Sequence, residues 1–125
     1  MIRNPCAYTL KRQDILVVNA AVGEIGSMLE CSASQLDKML QTNVVGAHRV
    51  VAHFINALKQ GKEKKLVIMS SVAGSLETGA SRPIVIGAYA VTKAAANMLT
   101  VQYHTELHKD SPEFKVIAIH PGWVT

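Results

Sequence analysis

Cysteine is scarce: the 125 residues contain only Cys6 and Cys31, with no metal-ligand spacing around either. A disulfide framework needs more thiols and a zinc site needs further ligands nearby. The pair therefore reads as two free thiols in a reducing compartment. Long hydrophobic runs are also missing. The longest apolar stretches have strand length and are broken by Asn, Gly or Ser, which leaves no candidate for a membrane-spanning helix. Met1 to Pro5 opens no apolar leader segment, so the expectation is a cytoplasmic protein. Aromatic residues are few, and none interleaves the densest basic run, Lys59 to Lys65 (KQGKEKK). A net charge of +4 then marks a solvated loop rather than a nucleic-acid surface. No repeat, low-complexity segment or linker divides the chain, which is the size of one domain.

What is present is a core: 49% of the residues are apolar, with Ala and Val plentiful. Ile15-Leu16-Val17-Val18, Leu66-Val67-Ile68-Met69 and Val116-Ile117-Ala118-Ile119 are apolar at every position. That pattern suits parallel strands covered on both faces. Between the first two, Leu36, Met39, Leu40, Ala47, Val50, Val51, Phe54 and Leu58 recur at spacings of three and four. They predict one long helix, with Ser34 as N-cap, Asp37 in a capping-box position and Gly61 as the stop. A second helix is predicted from about Tyr89 to Lys109, with Ala94, Met98, Val101 and Leu107 among its apolar positions and Asp110-Ser111-Pro112 ending it. The order β-α-β-α-β implies an α/β fold with a parallel sheet. Right-handed crossovers running in one direction put both helices on one face. The other face of this strand set is then expected to lie bare.

Ligands of such sheets bind beyond the carboxyl ends of the strands. Asn19, Ser71 and the loop after Gly122 stand there. Tyr89 and Lys93, at i and i+4, share a helix face one turn apart on the helix that returns from the Ser71 strand end. Reducing a ketone by hydride transfer requires a proton for the developing alkoxide. A phenol is a weak acid at neutral pH, and an adjacent ammonium favours its phenolate form. A serine hydroxyl can hold the carbonyl oxygen while charge develops. His104 and His108 are also at i and i+4, but HTELH lacks the glutamate placement of a zinc protease and reads as an exposed helix face. Gly23 and Gly26 read as turn residues rather than a dinucleotide fingerprint.

Five segments occur in order: Val18-Asn19-Ala20-Ala21, Thr42-Asn43-Val44, Ser70-Ser71-Val72-Ala73-Gly74, Tyr89-Ala90-Val91-Thr92-Lys93 and Pro121-Gly122. Together, from about Asp14 onward, they resemble the short-chain dehydrogenase/reductase family. The long Ser75–Gly87 loop and His120-Pro121-Gly122-Trp123-Val124 are similar to the subgroup of C-factor-like and fungal polyketide ketoreductases. The resemblance implies a partial Rossmann-type doubly wound parallel sheet, equivalent to strands 4 to 6 of the family fold, in a single partial NAD(P)-binding domain. Residues 1–13 would be an atypical N-terminal segment and 14–125 the catalytic half.

The resemblance also implies roles. Tyr89 would be the general acid/base and Ser71 the carbonyl positioner. Lys93 would bind the nicotinamide ribose and favour the Tyr89 phenolate. Asn43 would hold a water linking Lys93 to solvent. Pro121 and Gly122 would lie against the nicotinamide, Asn19 would brace the sheet near the adenosine side, and Ala20 would leave room for the cofactor, NADP or NAD with NADP favoured. The implied activity is NAD(P)(H)-dependent reduction of a ketone to a secondary alcohol, or the reverse. Val18 and Ala21 depart from the Asn-Asn-Ala-Gly motif, and Ser71 and Tyr89 stand 18 positions apart, more than in many members. The family's Thr-Gly-x-x-x-Gly-x-Gly turn has no counterpart in residues 1–13, which contain no glycine. The expectation is therefore a chain trimmed at both ends. It could act as a homo-oligomer, or associate through its two long helices with a full-length relative as a non-catalytic fragment, or be the remnant of a truncated gene.

Overall fold

The computed structural model describes residues 11–79, 81 and 85–122. Its three strands form on the three apolar runs: β1 (Ile15–Val18), β2 (Lys65–Met69) and β3 (Lys115–Ile119). They pair in parallel in the order β1-β2-β3, with Val17 opposite Val67 and Val67 opposite Ile117. The sheet is one of three parallel strands with helices, an α/β Rossmann-like architecture.

The first helical stretch is not continuous. It runs as α1 (Ala33–Leu40), a π-helical segment (Gln41–Gly46) and α2 (Ala47–Lys59). Its start lies upstream of the expected Ser34. Ser32 is the N-cap: its hydroxyl accepts from the Gln35 amide at 3.2 Å, and the Gln35 side chain accepts from the Ser32 amide at 2.8 Å. Glutamine completes this reciprocal pair, which two interleaved Ser-x-x-x patterns made ambiguous in the sequence. The stop falls as expected, with the Gly61 amide bonded to Leu58 O. Glycine is required there by proximity, because a Cβ would sit 2.0 Å from Gln13 O at the entrance to β1. The loop after it is tied down by the Lys62 amide, which donates to Asp14 Oδ1 at 2.7 Å.

After β2 a 3₁₀ turn (Val72–Gly74) leads to a short helix, α3 (Leu76–Gly79), inside the segment expected to be a loop. Helix α4 (Gly87–Asp110) begins two residues ahead of Tyr89. Its inward side carries Thr92, Lys93, Ala96 and Thr100, with Tyr103 and Leu107 packed on the core beyond them. Met98 and Val101 face outward, 57% and 51% exposed.

The core lies on one face of the sheet. Leu16, Val18, Leu66, Ile68 and Val116 point into it and meet Ala47, Val51, Leu58 and Ala96 of the helices. On the opposite face Ile15, Val17, Ile117 and Ile119 are exposed. This is the bare face that the topology predicts. The strands are apolar on both faces, but the described residues cover only one.

Candidate active site

The loops leaving the three strand ends gather at one edge of the sheet. At the end of β2, Ser71 caps the 3₁₀ turn: its Oγ accepts from the Ala73 amide at 3.1 Å. That bond leaves the hydroxyl proton of Ser71 free to donate. Gly74 closes the turn against α4, where a Cβ would lie 2.6 Å from the carbonyl carbon of Lys93. Only glycine lets the turn approach this closely, and the approach brings Ser71 to the start of α4. Ser71, Tyr89, Pro121 and Gly122 line a single cleft of about 230 Å³, walled by Ile25, Val72 and Ile86.

Tyr89 is half-buried, and its ring lies against the loop that leaves β1. A Cβ on Gly23 would come within 2.9 Å of Tyr89 Cδ2, so this glycine is more than a turn residue. Gly87 (φ +51°) opens α4 under the same loop, where a Cβ would lie 2.3 Å from Gly26 O. One turn beyond Tyr89, Lys93 is almost fully buried. Its Nζ donates to Met69 O at 2.9 Å and stands 5.5 Å from the centre of the Tyr89 ring. Burial lowers the Lys93 pKa from the ordinary lysine value, since desolvation penalises the charged form.

Asn43 sits inside the π-helical segment and is 4% exposed. Its Oδ1 accepts from the Val22 amide at 2.8 Å, and its Nδ2 donates to Val22 O at 2.7 Å and to Thr92 Oγ1 at 2.9 Å. Thr92 in turn donates to Tyr89 O at 2.8 Å. The side chain thus holds both the backbone N–H and the backbone C=O of Val22, next to Gly23, and reaches the helix that carries Tyr89. Both amide protons are spent on protein acceptors, so a water relay through Asn43 would have to use its Oδ1 or its backbone. π turns inside α-helices are frequent at functional sites, and here the wider turn accompanies this clamp.

The sequence reading missed Asn97, Thr92 and Gly23. Asn97 accepts from Ser70 Oγ at 2.5 Å and donates to Gly74 O at 3.3 Å, so it ties the 3₁₀ turn to α4. The signal was present: Tyr89, Lys93 and Asn97 lie at i, i+4 and i+8 on one helix face. Asn19 and Ala20, at the end of β1, are both exposed. Of the remaining expectations, Cys6 and Trp123–Thr125 lie outside the described residues, while Cys31 is a free thiol. His104 and His108 stack with ring centroids 5.0 Å apart on an exposed stretch of α4. Among the described residues no group of three metal-ligating side chains occurs and no helix is long and apolar enough to cross a membrane.

Residues 4–125 match the family profile described as short chain dehydrogenase. The chain belongs to the short-chain dehydrogenase family. It is 38% identical over 112 residues to an uncharacterised oxidoreductase of Schizosaccharomyces pombe, a match covering 89% of this chain and 42% of that protein. Among solved structures it is similar to a carbonyl reductase from Pseudomonas aeruginosa PAO1, with 27% identity and a TM-score of 0.73, over 93% of this chain and 51% of that one. A short-chain dehydrogenase of Escherichia coli CFT073 in complex with NADPH shares the fold, with 23% identity and a TM-score of 0.75, over 89% of this chain and 43% of that one. The chain spans less than half the length of the curated relatives it matches.

Short-chain dehydrogenases use NAD(P), and the residues at the sheet edge fit part of that group. A lysine ammonium carries three donors, and Lys93 spends one of them on a protein acceptor. A buried cation in that state calls for further acceptors, which the hydroxyls of a ribose can supply. Gly122 adopts φ +84° with no atom within 4 Å of where a Cβ would be, so the backbone beside Pro121 is open to a flat ring.

Proposed function

We propose that this chain carries the carbonyl-reducing centre of an NADP(H)-dependent short-chain dehydrogenase. The observation that carries the reading is the convergence of Ser71, Tyr89 and the Pro121–Gly122 turn on one cleft, with the buried Lys93 ammonium beside the Tyr89 ring. Lys93, Asn19, Ala20, Pro121 and Gly122 would hold the cofactor. When bound, the nicotinamide supplies or accepts the hydride. The protein's part is the proton and the orientation. The Ser71 hydroxyl donates to the carbonyl oxygen. The Tyr89 phenol delivers its proton to that oxygen as charge develops, and Lys93 stabilises the phenolate left behind. The preference for NADP(H) over NAD(H) draws on the likeness to the NADPH-bound relative and is read directly by titrating both.

The test is NADPH oxidation, followed at 340 nm with a small methyl ketone, for wild type and Tyr89→Phe. The reading predicts turnover in wild type and a loss of at least about 100-fold in the variant. Equal background rates in both would remove it for this chain.

A second reading is favoured by the outer face of α4, where Val91, Met98 and Val101 are exposed at helical spacing. A chain without turnover could still pair through this face with a second copy or with a full-length relative. Sedimentation of wild type and Met98→Asp, alone and mixed with such a relative, distinguishes the two readings.

A further inference from the structure

The turn that begins at Ser71 is closed upon itself. The Gly74 amide donates to Ser71 O at 2.9 Å, and the Ala73 amide donates to Ser71 Oγ at 3.1 Å. Those two bonds set the shape of the turn but not its place relative to Tyr89. Its place depends on bonds that cross to other elements. On the sheet side, the Ser70 amide donates to Ile119 O at 2.7 Å. On the helix side, Asn97 of α4 accepts from Ser70 Oγ at 2.5 Å and donates through Nδ2 to Gly74 O at 3.3 Å. One amide therefore holds both the residue before Ser71 and the residue that closes its turn. Among the described residues no other side chain of α4 is bonded on both sides of Ser71, since Lys93 reaches only Met69 O, ahead of it. The amide has one productive orientation. Turned over, its Oδ1 would face the Gly74 carbonyl, acceptor against acceptor, and that bond would be lost. Ser70 is buried, so its hydroxyl depends on the protein for a partner.

We infer that Asn97 is a positioning residue: it touches no reacting atom, and it sets the Ser71 hydroxyl against the Tyr89 phenol by tying the Ser71 turn to the helix that carries Tyr89. The inference rests on the carbonyl-reducing reading for the roles of Ser71 and Tyr89. In that reading both groups must meet one carbonyl oxygen, and a displacement of about 1 Å in such a pair costs on the order of 100-fold in rate. Ser70 belongs to the same device, because its hydroxyl is the donor that orients the amide.

The experiment measures kcat and KM for NADPH oxidation with a small methyl ketone on the whole chain. The proteins are wild type, Asn97→Ala, Ser70→Ala, Ser71→Ala and the double variant Ser71→Ala with Asn97→Ala, each corrected for its folded fraction. Alanine favours a helix and Asn97 is only half-buried, so α4 should survive the change. Asn97→Ala should lower kcat by roughly 10- to 100-fold. The KM for NADPH should stay unchanged, because Asn97 bonds to none of the residues expected to hold the cofactor. Ser70→Ala, which removes one hydroxyl, should lower kcat in the same direction by less. The double variant separates positioning from general loosening. If Asn97 acts through Ser71, its removal has no further effect once the Ser71 hydroxyl is gone, whereas a loosened fold slows both backgrounds alike. A second readout needs no turnover. The carbon-13 resonance of a carbonyl-labelled ketone, bound with NADP+ so that no hydride is available, moves downfield as hydrogen bonds polarise the carbonyl. That shift should shrink in Asn97→Ala as it does in Ser71→Ala. Equal rate losses from Asn97→Ala in both backgrounds overturn the inference, as does wild-type kcat in Asn97→Ala. Wild type that polarises the carbonyl without turning over rejects the catalytic reading alone, and the carbonyl shift in Asn97→Ala then decides the inference. Wild type that neither turns over nor moves the carbonyl resonance rejects both.

Discussion

Among the described residues the Lys93 ammonium has a single protein acceptor, Met69 O, and burial lowers its pKa. A lysine whose folded pKa lies below its unfolded value makes its full contribution to stability above the unfolded value. That contribution is lost as pH falls through the folded value, because the unfolded state there binds the additional proton. Lys93 therefore destabilises the free protein at neutral pH. Lys93→Met should be more stable than wild type at pH 7, by about 1–3 kcal/mol in urea titrations, and the gap should close as pH approaches about 10.5. A variant of lower stability at pH 7 would mean that the ammonium is better solvated than its burial indicates. The opposite cost falls on Asn43, whose amide is matched to Val22 and Thr92. Asn43→Ala strands the backbone N–H and C=O of Val22 and should cost about 2–3 kcal/mol. Hydrogen exchange at the Val22 amide should accelerate beyond what global unfolding explains. Unchanged protection of Val22 would argue against the clamp.

At the scale of elements, the site depends on how closely a turn meets a helix. The 3₁₀ turn that carries Ser71 touches α4 through Gly74, where any side chain would strike the Lys93 backbone. Gly74→Ala should cost about 1–3 kcal/mol by overpacking and should impair turnover beyond what the lost stability explains, since it separates Ser71 from Tyr89. Thermal melts paired with kinetics on the still-folded fraction would check this. The residues that meet here were legible in the sequence to different degrees. Strands announced themselves because a run apolar at every position has few alternatives. The strand end and the i, i+4 spacing made Ser71, Tyr89 and Lys93 only candidates, and it was the order of the five motifs resembling the family that joined them into an expected site. The π-helical segment was not legible, because the 3.6-residue spacing of apolar positions continues across it and an extra residue in one turn leaves no compositional mark. Nor were the contacts of Gly23 and Asn97, which depend on how the β1 loop folds back over α4. Distance along the chain carries no trace of that.

For the whole molecule, the decisive feature is the sheet face that carries Ile15, Val17, Ile117 and Ile119. Among the described residues, three parallel strands with their helices on one side leave such a face open to solvent, and contiguous apolar surface of this kind promotes association. The isolated chain should bind a hydrophobic dye such as ANS and sediment with a concentration-dependent mass. Val17→Thr with Ile117→Thr should reduce both while changing stability by less than about 1 kcal/mol, since the two side chains are half exposed already. Dye binding insensitive to this pair would place the sticky surface elsewhere.

The proposed function requires the sheet edge around Lys93 and Tyr89 to take a nicotinamide dinucleotide. Thermal unfolding of wild type and Lys93→Met, with and without NADPH, tests it most directly, because a ligand that binds only the folded state must stabilise it, by about 2.7 kcal/mol at 100 times its Kd. The melt of wild type should shift upward with NADPH and that of Lys93→Met should not, even though the variant itself is the more stable protein without cofactor. A wild-type melt indifferent to millimolar NADPH, or an equal shift in both proteins, would contradict it.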